Sequence, residues 1–170
     1  KELLDLKGHK YVVTNATFSG DGKRIVSLDS SNSILHSVRL WDAGAGKELL
    51  ALKGSEKVVF GCVALNRDGT RIVTGGHGQA VRLWDPDTGK ELRAIVTEVR
   101  GVVTESISQV AFHPNGKWVV GVGWDGKNVA CVVQIWDIAT GRAIVSFKAH
   151  NDFSRDMAIS ADGKRIAICF

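Results

Sequence analysis

The stretch Val38-Arg39-Leu40-Trp41-Asp42 returns letter for letter at 81–85 and, loosened to Val-Val-Gln-Ile-Trp-Asp, at 132–137. Working outward, a turn dipeptide precedes each copy: Asp21-Gly22, Asp68-Gly69 and Asn115-Gly116. A fourth, Asp162-Gly163, follows, and the turn glycines stand 47 residues apart. Gly with Asp or Asn tolerates the positive φ that tight hairpins demand. Each dipeptide is preceded by a large–small–large triplet (Ala16-Thr17-Phe18, Val63-Ala64-Leu65, Val110-Ala111-Phe112, Met157-Ala158-Ile159). Each is followed by an apolar pair such as Ile25-Val26 or Ile72-Val73. These patterns predict two antiparallel strands, with the Trp-Asp segment as a third.

A fourth strand follows a second turn. Gly46, Gly89 and Gly141 each lie five residues past the tryptophan, and the apolar pairs Leu49/Leu52, Leu92/Ile95 and Ile144/Phe147 come next. Lys1–Lys7 (KELLDLK) copies Lys47–Lys53 (KELLALK), so it is expected to be the last strand of a preceding unit. Repetition of a four-stranded unit predicts an all-β repeat architecture. The units are expected at 11–53, 58–97 and 106–148, with two strands of a further unit at 153–170.

With these residues in place the chain resembles the WD-repeat family, whose units carry Gly-His before the first strand and Trp-Asp at the end of the third. Gly8-His9 with Trp41-Asp42 matches both signatures. Trp84-Asp85 and Trp136-Asp137 match the second, and His150 stands where another Gly-His belongs, after Ala149. The resemblance implies a β-propeller built from four-stranded antiparallel blades, incomplete as a ring within these residues. It also implies a hydrogen-bonded chain of Ser or Thr, His, Asp and Trp in each blade. His9, Ser27 and Trp41 supply three members in the first blade, with no Asp in register near Ser31-Asn32. Thr74 and Trp84 remain in the second, where Ser55 and Gly78 replace His and Asp. The third keeps Trp136 and Asp125 but has Gly121 where Ser or Thr is expected. These residues are read as structural.

The repeat varies in length in only two connections. Turn Gly to Trp measures 19, 15 and 20 residues, and the second-turn Gly to the next turn Gly measures 23, 27 and 22. In an antiparallel four-stranded blade both variable connections leave on one rim and both constant turns on the other. Variable loops on a rigid scaffold are where binding concentrates. His36, His77, Gln79, Arg100, Trp124 and Asp125 are the partner-binding candidates on that rim. Trp124, read as a loop residue beside an Asp125-Gly126 turn, is the sharpest.

Catalysis finds little support. The five histidines show no metal-binding spacing, and Gly75-Gly76-His77-Gly78 lacks the Lys-Ser/Thr and helix of a phosphate loop. His113-Pro114 is read as part of a turn. No cofactor or metal is implied. Net charge is +4, with signs alternating along the chain, which favours acidic partners over a nucleic-acid backbone. No apolar run is long enough to span a bilayer. Three cysteines without CxxC spacing fit buried thiols in a reducing compartment, the cytoplasm. The expected function is a non-enzymatic scaffold for proteins or peptides. The alternative is a propeller enzyme or small-ligand binder with its site in the central channel. An open arc would expose strand edges and inner faces. Further blades of a longer chain, or other copies of this one, are expected to close the ring.

Overall fold

The computed structural model describes residues 4–30, 36–54, 59–78, 80–97, 104–126, 130–152 and 154–169. Three antiparallel sheets carry four strands each, in sequence order. The first holds β1 (Val12–Phe18), β2 (Arg24–Ser30), β3 (Ser37–Asp42) and β4 (Glu48–Lys53). The second holds β5 (Cys62–Leu65), β6 (Ile72–Gly75), β7 (Ala80–Trp84) and β8 (Glu91–Val96). The third holds β9 (Ser106–Phe112), β10 (Trp118–Asp125), β11 (Ala130–Asp137) and β12 (Ala143–His150). A hairpin of β13 (Asp156–Ile159) and β14 (Ile166–Cys169) follows.

The two constant turns are built from side chains as well as glycine. At the first, Gly22 takes φ 71° and donates to Ser19 O at 2.9 Å, while Asp21 Oδ1 accepts from Ser19 Oγ and Lys23 N. The serine hydroxyl, followed by the Lys23 amide, holds the Asp21 carboxyl below its usual value. At the second, the Asp of each Trp-Asp pair caps the turn. Asp42 Oδ1 accepts from Gly44 N and Ala45 N, Asp85 Oδ1 from Asp87 N and Thr88 N, and Asp137 Oδ1 from Thr140 N and Oγ1. These carboxylates are Asx-turn acceptors, which accounts for a short side chain with an acceptor oxygen after the tryptophan.

Each strand shows one face to the unit before and one to the unit after, so the core divides into three interfaces. Val26, Leu28, Val38, Leu40 and Leu52 of the first blade meet Phe60, Val63, Leu65 and Ile72 of the second. Cys62, Val73, Val81, Leu83 and Ile95 meet Ile107, Val110, Val119 and Trp136 of the third. Val120, Val122, Cys131 and Val133 meet Met157, Ile159, Ile166 and Ile168 of the hairpin. β5 lies against β1, β9 against β5, and β13 against β9, so the leading strands follow one another on one side of the stack.

Two places lack this cover: the first blade's outer face, and β12 of the third blade, beside which the hairpin supplies only two strands. Phe18 is 61% exposed, while Leu65, at the same place in the second blade, is 8% exposed beneath the first. Phe147 is 50% exposed, whereas Leu52 and Ile95 at its place are buried by the blade that follows. Leu4 and Leu6 stand against Gly46 much as Leu50 and Leu52 stand against Gly89, although Leu4–Lys7 joins no ladder among the described residues.

Two expectations change. The long connection expected from Gly123 to Cys131 is mostly strand: β10 and β11 extend to the pairs Trp124↔Cys131 and Asp125↔Ala130. Added residues that keep the period-2 alternation lengthen a hairpin, because each new pair adds ladder hydrogen bonds. Cys169 is exposed, while Cys62 and Cys131 are buried. Burial pushes the Cys62 thiol up to about 12.

Candidate functional site

The two rims of the stack differ in construction. On the constant-turn rim, neighbouring units are tied together by hydrogen bonds. Asp21 N donates to Arg67 O at 2.9 Å, and Arg24 Nη1 donates to Gly69 O at 3.0 Å. Arg93 donates to Ala139 O and Thr140 O, and His113 Nε2 pairs with Gly163 O at 2.9 Å. A turn whose backbone groups serve the next blade cannot change length without losing those bonds. His113 is accounted for by this tie.

On the variable rim two of the sequence candidates come together. His77, exposed and bridged to Ser106, and Trp124, half-buried in β10, line one cavity of about 280 Å³ with Ser106, Ser108, Gly123, Cys131 and Ser154. The cavity thus draws on the second blade, the third blade and the approach to β13. Ser108 Oγ and Ser154 Oγ are hydrogen-bonded at 2.9 Å. Burial raises the Cys131 pKa, so the thiol offers a weak donor and apolar surface and no thiolate. The lining suits hydrogen bonding to a polar chain beside an indole ring. The glycine run at 75–78 serves the backbone, since a side chain at Gly76 would collide with the Val59 carbonyl.

The other candidates separate. Trp124 lies in a strand instead of a loop. Asp125, expected on the exposed rim, is 4% exposed with its Oδ2 at 3.0 Å from Lys148 Nζ. Nor does it serve Trp136. His36 is half-buried at the head of β3 and lines a separate pocket in the first blade. Gln79 and Arg100 lie outside the described residues, as does Ser55.

The first blade holds a complete polar chain, against the expectation that its acid was missing. Trp41 Nε1 donates to Ser27 Oγ at 2.8 Å, Ser27 Oγ lies 2.5 Å from His9 Nε2, and His9 Nδ1 lies 2.9 Å from Asp29 Oδ2. This run is consistent with Ser27 donating to Nε2 and with the Nδ1–H tautomer of His9. Burial works to raise the Asp29 pKa. Hydrogen bonds from His9, from Ser37 N at 2.7 Å and from Ser37 Oγ at 2.9 Å outweigh it and hold the carboxyl below its usual value. Asp29 lies two residues after Ser27 and so on the same strand face, a period-2 signal that was present in the sequence. In the second blade Trp84 Nε1 reaches Thr74 Oγ1 at 2.9 Å. In the third, Gly121 lies under the Trp136 ring, and the indole N–H has no partner among the described residues. His150 ends β12, exposed and opposite Cys131.

Position 134 gave no warning in the sequence. Arg39 and Arg82, two residues before their tryptophans, pair with Glu48 and Glu91 across the sheet. Gln134, at the same place, is buried. It accepts from Thr104 Oγ1 at 3.0 Å and donates to Thr97 O at 2.9 Å, pinning the ends of the connection between the second and third blades.

Among the described residues no three His, Cys, Asp or Glu side chains gather where they could hold a metal ion, and no helix is long and apolar enough to cross a membrane. Comparison with known proteins places this geometry. A family model described as "WD domain, G-beta repeat" matches residues 1–42, 46–85 and 96–128, more than half of the chain. The chain is similar to a solved structure described as "Structure of U3-55K", at 19% identity and TM-score 0.71, covering 89% of this chain and 44% of that one. It is similar to "Crystal structure of RRP9 WD40 repeats" at 18% identity and TM-score 0.71, covering 89% and 43%. These likenesses show the fold, a β-propeller of four-stranded blades, and this chain spans less than half the length of either propeller.

Proposed function

The chain belongs to the WD40 repeat family, and from that premise we propose that it is a non-enzymatic scaffold that docks protein segments on its variable-loop rim. WD40 propellers are in general protein-interaction scaffolds. The observation that carries the finer reading is the convergence of His77 and Trp124 on one cavity shared by successive units. An indole beside hydroxyl groups offers a large, rigid contact surface with hydrogen-bonding partners, the composition of an interface anchor. Exposed Phe18 and Phe147 support a second element of this reading: further blades, in a longer chain or another copy, cover the outer faces. A reducing compartment, the cytoplasm, fits Cys62, Cys131 and Cys169, which form no disulfide among the described residues.

The test compares partners co-purifying with the intact protein and with two variants. His77→Ala removes an exposed rim side chain and is expected to lose partners with an unchanged Tm. Lys117→Gln, on the constant-turn rim, is expected to keep them. Equal retention by both would overturn docking on the variable rim.

A further inference from the structure

The first blade carries a second pocket on the variable rim, of about 200 Å³. That is smaller than a typical small-molecule site of roughly 300–1,000 Å³. Lys10 and Tyr11 border it just before β1, His36 just before β3, Lys53 at the end of β4, and Arg39 and Asp29 from within the sheet. Its polar atoms are unevenly satisfied. Asp29 has its carboxylate committed, Oδ2 to His9 and Oδ1 to both the amide and the hydroxyl of Ser37. Arg39 spends Nη1 on Glu48, but its buried Nε has no acceptor among the described residues, and neither does buried His36 Nδ1 a partner. Lys10 and Lys53, both exposed, form no ion pair among the described residues.

A buried donor left unpaired is costly, and an anionic oxygen is the acceptor that recovers most of that cost. The sister blades lack the arrangement. Val96 stands where Lys53 does, Lys148 at that place in the third blade is neutralised by Asp125, and Gln134 replaces Arg39 with its amide engaged. Three fixed positive charges therefore meet one committed carboxylate on the pocket wall. Glu48 offsets the Arg39 charge through Nη1 and leaves Nε–H open.

We propose that this pocket is an anion-binding site that takes a carboxylate or phosphate group on an acidic segment of a partner protein. Arg39 Nε–H and His36, as its Nδ1–H tautomer, donate to its oxygens, Lys10 and Lys53 supply attraction at the mouth, and the half-exposed Tyr11 ring flanks the chain that bears it. The site stands apart from the Trp124 cavity and is tested without any natural partner.

Three synthetic peptides are titrated at low salt into the intact protein: hexaglutamate, a phosphoserine peptide of otherwise neutral sequence, and its unphosphorylated form. At least one acidic peptide is expected to bind, and its affinity falls as salt rises. The double variant Lys10→Gln/Lys53→Gln, altered only at exposed side chains, is expected to weaken binding at least tenfold. Lys117→Gln is expected to leave it within twofold. Binding of hexaglutamate alone assigns the site to carboxylates, and of the phosphopeptide alone to phosphate. Failure of both acidic peptides to bind, equal binding of the unphosphorylated form, or an equal loss in Lys117→Gln would overturn the proposal.

Discussion

In the first blade Trp41 gives its indole N–H to Ser27, which leads on through His9 to Asp29. In the third blade Trp136 lies over the bare backbone of Gly121 with no partner for the same N–H among the described residues. Both tryptophans are fully buried and both end a strand with a turn-capping Asp. The difference teaches that the Trp-Asp ending secures shape by two separable means. Apolar burial and the Asp-capped turn are common to both blades. The polar chain behind the indole is optional, because a glycine lets the ring close onto the backbone and exchange a hydrogen bond for contact. The third blade places its buried polar group elsewhere, at Gln134, where it ties down the incoming connection.

The largest way to break this comparison is Ser27→Ala. It strands both Trp41 Nε1 and His9 Nε2, and is expected to cost about 2–4 kcal/mol in denaturant unfolding. A cost below about 1 kcal/mol would make the first blade no more dependent on its chain than the third. Next comes Gly121→Ser, which restores the residue type of the first blade. A β-carbon there would fall 2.6 Å from the Trp136 ring, so the change is expected to destabilise by about 1–3 kcal/mol. Stabilisation would show that the third blade merely lacks a partner and is not repacked. The smallest effect is acidification. Asp29 has a lower pKa folded than unfolded, so its contribution is complete above the usual carboxylate value of about 4. It is lost as the pH falls through the lower, folded value. The turn acids Asp21 and Asp137 are lowered in the same direction and weaken both blades alike. Amide exchange over pH 6 to 3 is therefore expected to loosen β2 and β3 before β10 and β11, and the reverse order would contradict the contrast.

The candidate site was less legible than the fold. His77 and Trp124 were both marked from the sequence, but from separate repeats, and nothing in the spacing said that they would share one cavity. Asp29 was readable by strand alternation from Ser27. Asp125 misled because an acid beside glycine suggests a turn, while the longer hairpin carries it into the ladder and under Lys148. Of the anion pocket the sequence marks only His36. Lys10, His36, Arg39 and Lys53 are scattered over more than 40 residues and are ordinary surface types when read one at a time.

The sequence by itself determined the blades. Side-chain alternation, glycines at positive φ and acids that cap turns act within a few residues, and their repetition at fixed spacing fixes a four-stranded unit. The tertiary structure alone decided where the third blade places its buried polar group, which apolar faces stay bare and which rim residues converge. Those outcomes depend on the blade packed alongside, and the free energy of a buried polar atom is set by neighbours that local sequence does not contain.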